Sequence, residues 1–188
     1  MTTHELEASF SQHRLNGEPI PSDLMLLLPH SDMLQELLNI EVRFEPDWAP
    51  WEDTSYLSES DRTNPDIMAN VYAMAETNAM MSFVAKHEME GYVGYWRGPE
   101  KRLIAISPLV RLDNEGQYQF CPGSSFAEAI LSFTWSHEDF VTARDWMKGV
   151  GVQVAADSID DLTYPSSDPT PQQVRESLYT RYLADAGK

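Results

Sequence analysis

The spacing of apolar positions changes twice along the chain, from a period near 3.6 to a period near 2 and back again. Leu6, Phe10 and His13 fall on one helical face. Thr2 and Glu5 match a capping box before them, with the hydroxyl accepting from a first-turn amide and the carboxylate reaching back. Gly17 and Pro19 stop this helix. Ser22-Asp23 opens a second, short apolar turn ending at Pro29, and Ser31 is placed to cap a third helix with Leu34, Leu37 and Leu38 on one face. A strand is expected over 40–44. Asn64-Pro65 starts a helix with proline at its first position, and Ile67, Val71, Met74 and Ala75 supply an apolar stripe to about Asn78.

The period shortens near Met80. Met81, Phe83 and Ala85 alternate with Ser82, Val84 and Lys86, and Tyr92, Gly94 and Trp96 alternate with Val93 and Tyr95. Glu88-Met89-Glu90-Gly91 between them predicts a hairpin. Residues 103–106 and 109–112 are expected as strand, with Pro108 as a bulge or edge device. Asp113-Asn114-Glu115-Gly116 is a turn, and 117–120 returns. The helical period then resumes. Ser125 and Glu128 form a capping box before Phe126, Ile130 and Phe133, and a further helix runs from Ser136 through Trp146 to Lys148, ending at Gly149. Val150, Val152 and Val154 predict a late strand. Pro165, Asp168, Pro169 and Pro171 mark a connector, and Thr170 with Gln173 caps a last helix bearing Val174, Leu178 and Tyr182. There is no internal repeat and no heptad pattern. The prediction is an α+β fold in one domain over 1–188: an antiparallel sheet over about 81–120, covered by helices from the N- and C-terminal parts.

Charge changes the picture of what such a fold meets. Thirty Asp and Glu stand against 13 Lys and Arg, a formal net charge of −17 on 188 residues, with a pI near 4.4. Nucleic acid and anionic membranes are repelled, and a basic protein is attracted. An apolar fraction of 42% argues against global disorder despite that charge. Cys121 is the only cysteine, so an intramolecular disulfide is impossible, which fits a reducing cytoplasm. No His or basic residue adjoins it, so an inert buried thiol is expected. The first residues have neither a basic region nor an apolar core, so no secretory signal is expected. The longest aliphatic run, 24–28, is too short to span a bilayer. A soluble, cytoplasmic protein is expected.

Catalytic motifs are missing. His87-Glu88 and His137-Glu138-Asp139 set His beside acids, but neither has a second His one helical turn on. His87 is expected at an exposed hairpin position and His137 in the first turn of a helix. Gly123-Ser124-Ser125 is not a nucleophile elbow. Asp113-Asn114-Glu115-Gly116 lacks the later Glu of a calcium loop. Paired acids such as Glu52-Asp53 and Asp160-Asp161 arise readily by chance in so acidic a chain. No catalytic residue, metal or cofactor is expected.

Residues 41–66 stand apart in composition. Glu41, Glu45, Asp47, Glu52, Asp53, Glu59, Asp61 and Asp66 face only Arg43 and Arg62, and Trp48 and Trp51 flank Pro50 among them. One or both Trp can plug the rim of the core. Equally, aromatic anchors ringed by acids have the make-up of a protein-binding hot spot. The candidate partner-binding set is therefore Glu45, Asp47, Trp48, Trp51, Glu52, Asp53, Glu59 and Asp61. Arg97, Lys101 and Arg102, near Gly98-Pro99, are expected as a solvated hairpin tip.

Three segments share an order worth comparison. Gly91-Tyr92-Val93-Gly94-Tyr95-Trp96 is followed by Pro108-Leu109-Val110-Arg111-Leu112-Asp113 with a turn ending in Gly116, then by Ser124-Ser125-Phe126-Ala127-Glu128-Ala129-Ile130-Leu131. With Pro21-Ser22-Asp23-Leu24 upstream, this resembles the SUKH superfamily over about 20–135. Residues 45–66 are longer than the corresponding segment of that family, and 136–188 extend past its usual end. The resemblance implies a binding scaffold rather than an enzyme. Many bacterial members are immunity proteins that neutralise toxins, often nucleases or deaminases, and fungal relatives regulate cell-wall synthesis. An acidic inhibitor suits the role, because it can mask the cationic surface with which a nuclease holds phosphates. The leading expectation is an acidic module that binds a basic protein partner, a cognate nuclease or other toxin. The alternatives are a nucleic-acid mimic that occupies DNA-binding proteins, and a hydrolase using acids in a cleft.

Overall fold

The computed structural model describes residues 3–187. Five strands form one antiparallel sheet in chain order: β1 (Ile40–Val42), β2 (Met81–His87), β3 (Gly91–Trp96), β4 (Leu109–Leu112) and β5 (Tyr118–Phe120). Helices α1 (Thr3–Arg14), α2 (Ser22–Leu27) and α3 (Ser31–Leu38) precede the sheet. Helices α4 (Glu59–Thr63) and α5 (Pro65–Asn78) lie between β1 and β2, and α6 (Phe126–Leu131), α7 (His137–Gly149) and α8 (Pro171–Ala186) follow it. The α+β architecture is as expected. Thr2, half of the first capping box, lies outside the described residues.

The sheet separates two cores. Val84, Ala85, Val93, Tyr95 and Leu109 meet residues of α1, α2, α3, α6 and α7 on one face. Met81, Phe83, Trp96, Val110 and Leu112 meet Ala73 of α5 and Val174 and Leu178 of α8 on the other. The β2–β3 register shifts between Phe83 and Ala85, so Val84 and Ala85 both join the first core. Gly94 sits opposite this bulge, where a Cβ would lie 2.7 Å from the Ser82 carbonyl oxygen, so only glycine lets the strands approach. The C-terminal extension is integral to the second core. The buried Trp96 indole donates to the Pro169 carbonyl at 3.1 Å, and Arg175 of α8 donates to Asn70 of α5 at 2.7 Å.

Several local expectations are corrected. His13 is exposed, and its neighbour Arg14 is buried instead. Ser31 does not cap α3, because the turn Leu28–His30 already runs helically into it and His30 takes the cap position without a side-chain bond. The buried stripe of α5 is Ala69, Ala73 and Thr77, while Ile67, Val71 and Met74 are half-buried and Ala75 is exposed. Small side chains let α5 lie close against α8. The expected strand over 103–106 is not formed: Ile104–Ile106 is a 3-10 turn, with Ile106 turned outward. Val152 and Val154 alternate inward as a strand would, yet no strand among the described residues pairs with them. The Ser125 hydroxyl accepts from the Glu128 amide at 3.2 Å, but the Glu128 carboxylate serves the Ser124 amide and hydroxyl, each at 2.9 Å, rather than completing the box. The Thr170–Gln173 capping box forms as the sequence predicts, and the helices expected to start at Asn64-Pro65 and Ser136 do so, capped by the Asn64 and Ser136 side chains.

Candidate functional site

The acidic, tryptophan-bearing segment leaves the sheet edge after β1. The Arg43 amide still donates to the Val84 carbonyl, at 3.1 Å. Pro46 and Pro50 have no amide hydrogen to continue a ladder, so the chain turns out and tightens into the 3-10 turn Pro50–Glu52. Arg14, at the end of α1, holds this excursion. Its guanidinium donates to the Trp48 carbonyl at 2.8 Å and to the Pro46 carbonyl at 3.0 Å. It also lies 5.4 Å from the centre of the Trp48 ring, with Arg43 at 5.8 Å, both within reach of a cation–π contact.

Trp48 and Trp51 are half-buried at the rim of the second core. Their rings meet edge to face at 4.9 Å. Trp51 rests on Phe83 at 4.2 Å and beside Tyr92 at 5.5 Å. The pair thus extends the sheet's aromatic face outward and stays in contact with solvent.

The predicted acids divide into two kinds. Asp53 accepts from the Ser55 amide at 2.8 Å, and that bond holds its carboxyl below the ordinary carboxylate range. Asp61 closes a capping box with Ser58, whose hydroxyl and amide lower the Asp61 pKa. Glu45 meets Arg43 at 3.4 Å. These three serve the local structure. Asp47, Glu52 and Glu59 are exposed, and none forms an ion pair among the described residues.

A groove of about 470 Å³ opens between the end of α1, this loop and β2, lined by Arg14, Asp47, Trp48, Trp51, Glu52 and Ser82 among others. Arg14 is 7% exposed and Ser82 3%, yet the Arg14 Nε and the Ser82 Oγ have no hydrogen-bond partner among the described residues. Burial pushes the Arg14 pKa down, and the nearby carboxylates of Glu45 and Asp47 push it back up. The groove thus offers an aromatic wall and carboxylates at its mouth, with an unpartnered guanidinium N–H and hydroxyl buried behind its surface. Sequence reasoning found the Trp residues and the acids. It missed Arg14 and Ser82, for which the only sequence signals are a cation in a last helical turn and an alternate position in a strand.

The remaining candidates are structural. His87 is buried, not exposed, and its Nδ1 accepts from the Met89 and Glu90 amides at 3.2 and 3.0 Å, closing the hairpin turn. His137 opens α7 as expected. Arg97 and Arg102 are not a solvated tip: Arg97 pairs with Glu18 at 2.5 Å, and Arg102 donates to Ser167 at 2.5 Å. Cys121 is buried, and burial pushes its thiol up to about 12. Among the described residues, no three His, Cys, Asp or Glu side chains converge to hold a metal ion, and no helix is long and apolar enough to cross a membrane. Comparison with protein-family models, curated proteins and solved structures finds no match in any of the three.

Proposed function

We propose that this chain is an acidic protein-binding module of the cytoplasm that acts without catalysis, as an immunity protein neutralising a basic toxin by direct contact. The observation that carries the reading is the groove beside Trp48 and Trp51. Exposed Asp47 and Glu52 line the groove beside an aromatic wall, and the Arg14 Nε and Ser82 Oγ buried behind that wall lack hydrogen-bond partners among the described residues. A basic side chain approaching the mouth meets carboxylates. A carbonyl of the same partner can accept from Arg14, satisfying a group that is otherwise costly to bury. The net charge of −17 adds long-range steering toward a cationic surface. The SUKH-like order of segments agrees with a scaffold used for binding.

The test is affinity capture from cells expressing the neighbouring genes, followed by mass spectrometry and by binding kinetics with the purified partner. A single basic protein, bound in a salt-sensitive way and lost when the groove is altered, supports the proposal. Capture of several unrelated DNA-binding proteins with no dependence on Trp48 or Trp51 points instead to a nucleic-acid mimic.

A further inference from the structure

A second cavity, of about 540 Å³, lies away from the acidic loop, between the start of α2, the turn Ile104–Ile106 and the turn before α6. Its volume is within the range of about 300–1,000 Å³ typical of ligand sites. Tyr95 of β3 stands in its wall with only 3% of its surface exposed, and the phenol oxygen, itself buried, has no hydrogen-bond partner among the described residues. The contrast with Tyr118 is direct: that buried hydroxyl donates to Asn78 at 2.8 Å. Buried phenols nearly always find such a partner.

Asp23 shares the wall. Its Oδ2 accepts from the Ala127 amide at 2.9 Å, and its other oxygen accepts nothing among the described residues. Ser22 and Ser125 add hydroxyls, while Ile104 and Phe126 add apolar surface. No Lys, Arg or His among the described residues lines the cavity.

These groups select a chemistry. An anion finds no counter-charge and meets the Asp23 carboxylate. An ammonium group donates to Asp23 but offers the Tyr95 proton no acceptor. An apolar ligand leaves both polar groups unpaired. A hydroxyl answers both needs, accepting from Tyr95 and donating to Asp23, and the C–H faces of a carbon ring suit Ile104 and Phe126. We propose that this cavity binds a small uncharged polyhydroxyl compound, a sugar or cyclic polyol, through Tyr95 and Asp23. The site is independent of the acidic groove.

The experiment is an NMR titration of the full chain with neutral monosaccharides and inositol, beside inorganic phosphate and free arginine as charged controls. Saturable binding of at least one neutral probe, with shifts at Ser22, Asp23 and Ile106, is expected. Tyr95→Phe should weaken that binding by about tenfold or more, because the site then lacks its donor. It should leave the melting temperature unchanged or higher, since the hydroxyl has no protein partner to lose. Asp23→Asn, which can still accept from the Ala127 amide, should also weaken binding. The proposal is overturned if no neutral probe saturates, if phosphate or arginine occupies the cavity instead, or if Tyr95→Phe binds as the parent does. It is also overturned if Tyr95→Phe lowers the melting temperature while no sugar binds, which identifies a structural water as the hydroxyl's partner.

Discussion

Arg14 clamps Trp48: the guanidinium donates to the Trp48 carbonyl at 2.8 Å and lies 5.4 Å from its ring, across 34 residues of sequence. The contact joins the first helix to the acidic loop and sets the shape of the groove between them. A lysine cannot reproduce it, because one ammonium lacks the planar fork that serves the Pro46 and Trp48 carbonyls together. Arg14→Lys and Arg14→Ala should each destabilise the protein, the Ala variant by about 2 kcal/mol, through two charge-assisted bonds lost from a buried position. Urea unfolding measures this. A midpoint unchanged in both variants would show that the clamp contributes nothing to stability.

The two tryptophans should separate by their contacts. Trp51 rests on Phe83 at 4.2 Å and closes the rim of the second core. Trp51→Ala should therefore lower stability by about 2–3 kcal/mol, less than a fully buried Trp because part of the ring already meets solvent. Trp48 is held chiefly by two arginines and by ring edges, so Trp48→Ala should perturb the melt less and speed partner dissociation more. Thermal melts of the free variants beside dissociation rates check both statements.

His87 gives a pH dependence. Burial, with help from the Arg111 charge, lowers its pKa, and its Nδ1 must stay unprotonated to accept from the Met89 and Glu90 amides. The unfolded chain takes up this proton near pH 6.5, and the folded chain does so only at lower pH. Stability is therefore full above about pH 6.5 and declines as pH falls toward the folded value. His87→Gln should flatten that part of the stability profile. An imidazole titrating at or above its ordinary value by NMR would contradict the assignment.

Glu128 ties the C-terminal extension to α6. Burial alone would raise its pKa, but bonds from the Ser124 amide and hydroxyl and from the Ala155 and Ala156 amides together lower it. The bound carboxylate stabilises the fold above the ordinary carboxylate pKa, about 4.3, and that contribution disappears as pH falls through the lower folded value. Glu128→Gln should remove about 1–2 kcal/mol near neutral pH. It should also make acid unfolding less steep, as pH-dependent denaturation would show.

What the sequence disclosed was mostly what neighbours in sequence decide. The helix starts at Asn64, Ser136 and Thr170 need only residues one turn away, and they fall where expected. The 81–120 meander is set by alternation and by turns at Gly91 and Gly116. Elements that depend on distant partners were harder to see. Val152 and Val154 have a strand's pattern but pair with no strand among the described residues, and Glu128 takes the Ala155 amide instead. The stripe of α5 follows the close approach of α8, which favours Ala69 and Ala73 over the larger Ile67 and Val71. In the candidate site, Trp48, Trp51 and the acids stand out by composition. Arg14 and Ser82 reach the groove only because α1 and β2 fold beside the loop.

The structure also sharpens the choice of charges to alter. Reversing Asp53 or Asp61 breaks a local turn or cap, so a lost partner could reflect a misfolded loop. Glu52 and Glu59 are exposed and make no ion pair among the described residues. Glu52→Lys with Glu59→Lys should leave the melt of the free protein within about 0.5 kcal/mol of the parent.

The most direct measurement is the association rate of the captured basic partner with the parent protein and with the Glu52→Lys, Glu59→Lys variant, across a range of salt. If the acidic groove steers a cationic partner, the parent's rate should fall steeply with salt. The variant should associate about tenfold or more slowly at low salt, and its salt dependence should flatten. Association rates indifferent both to salt and to the double reversal would contradict the proposal that this acidic surface is where a basic partner is met.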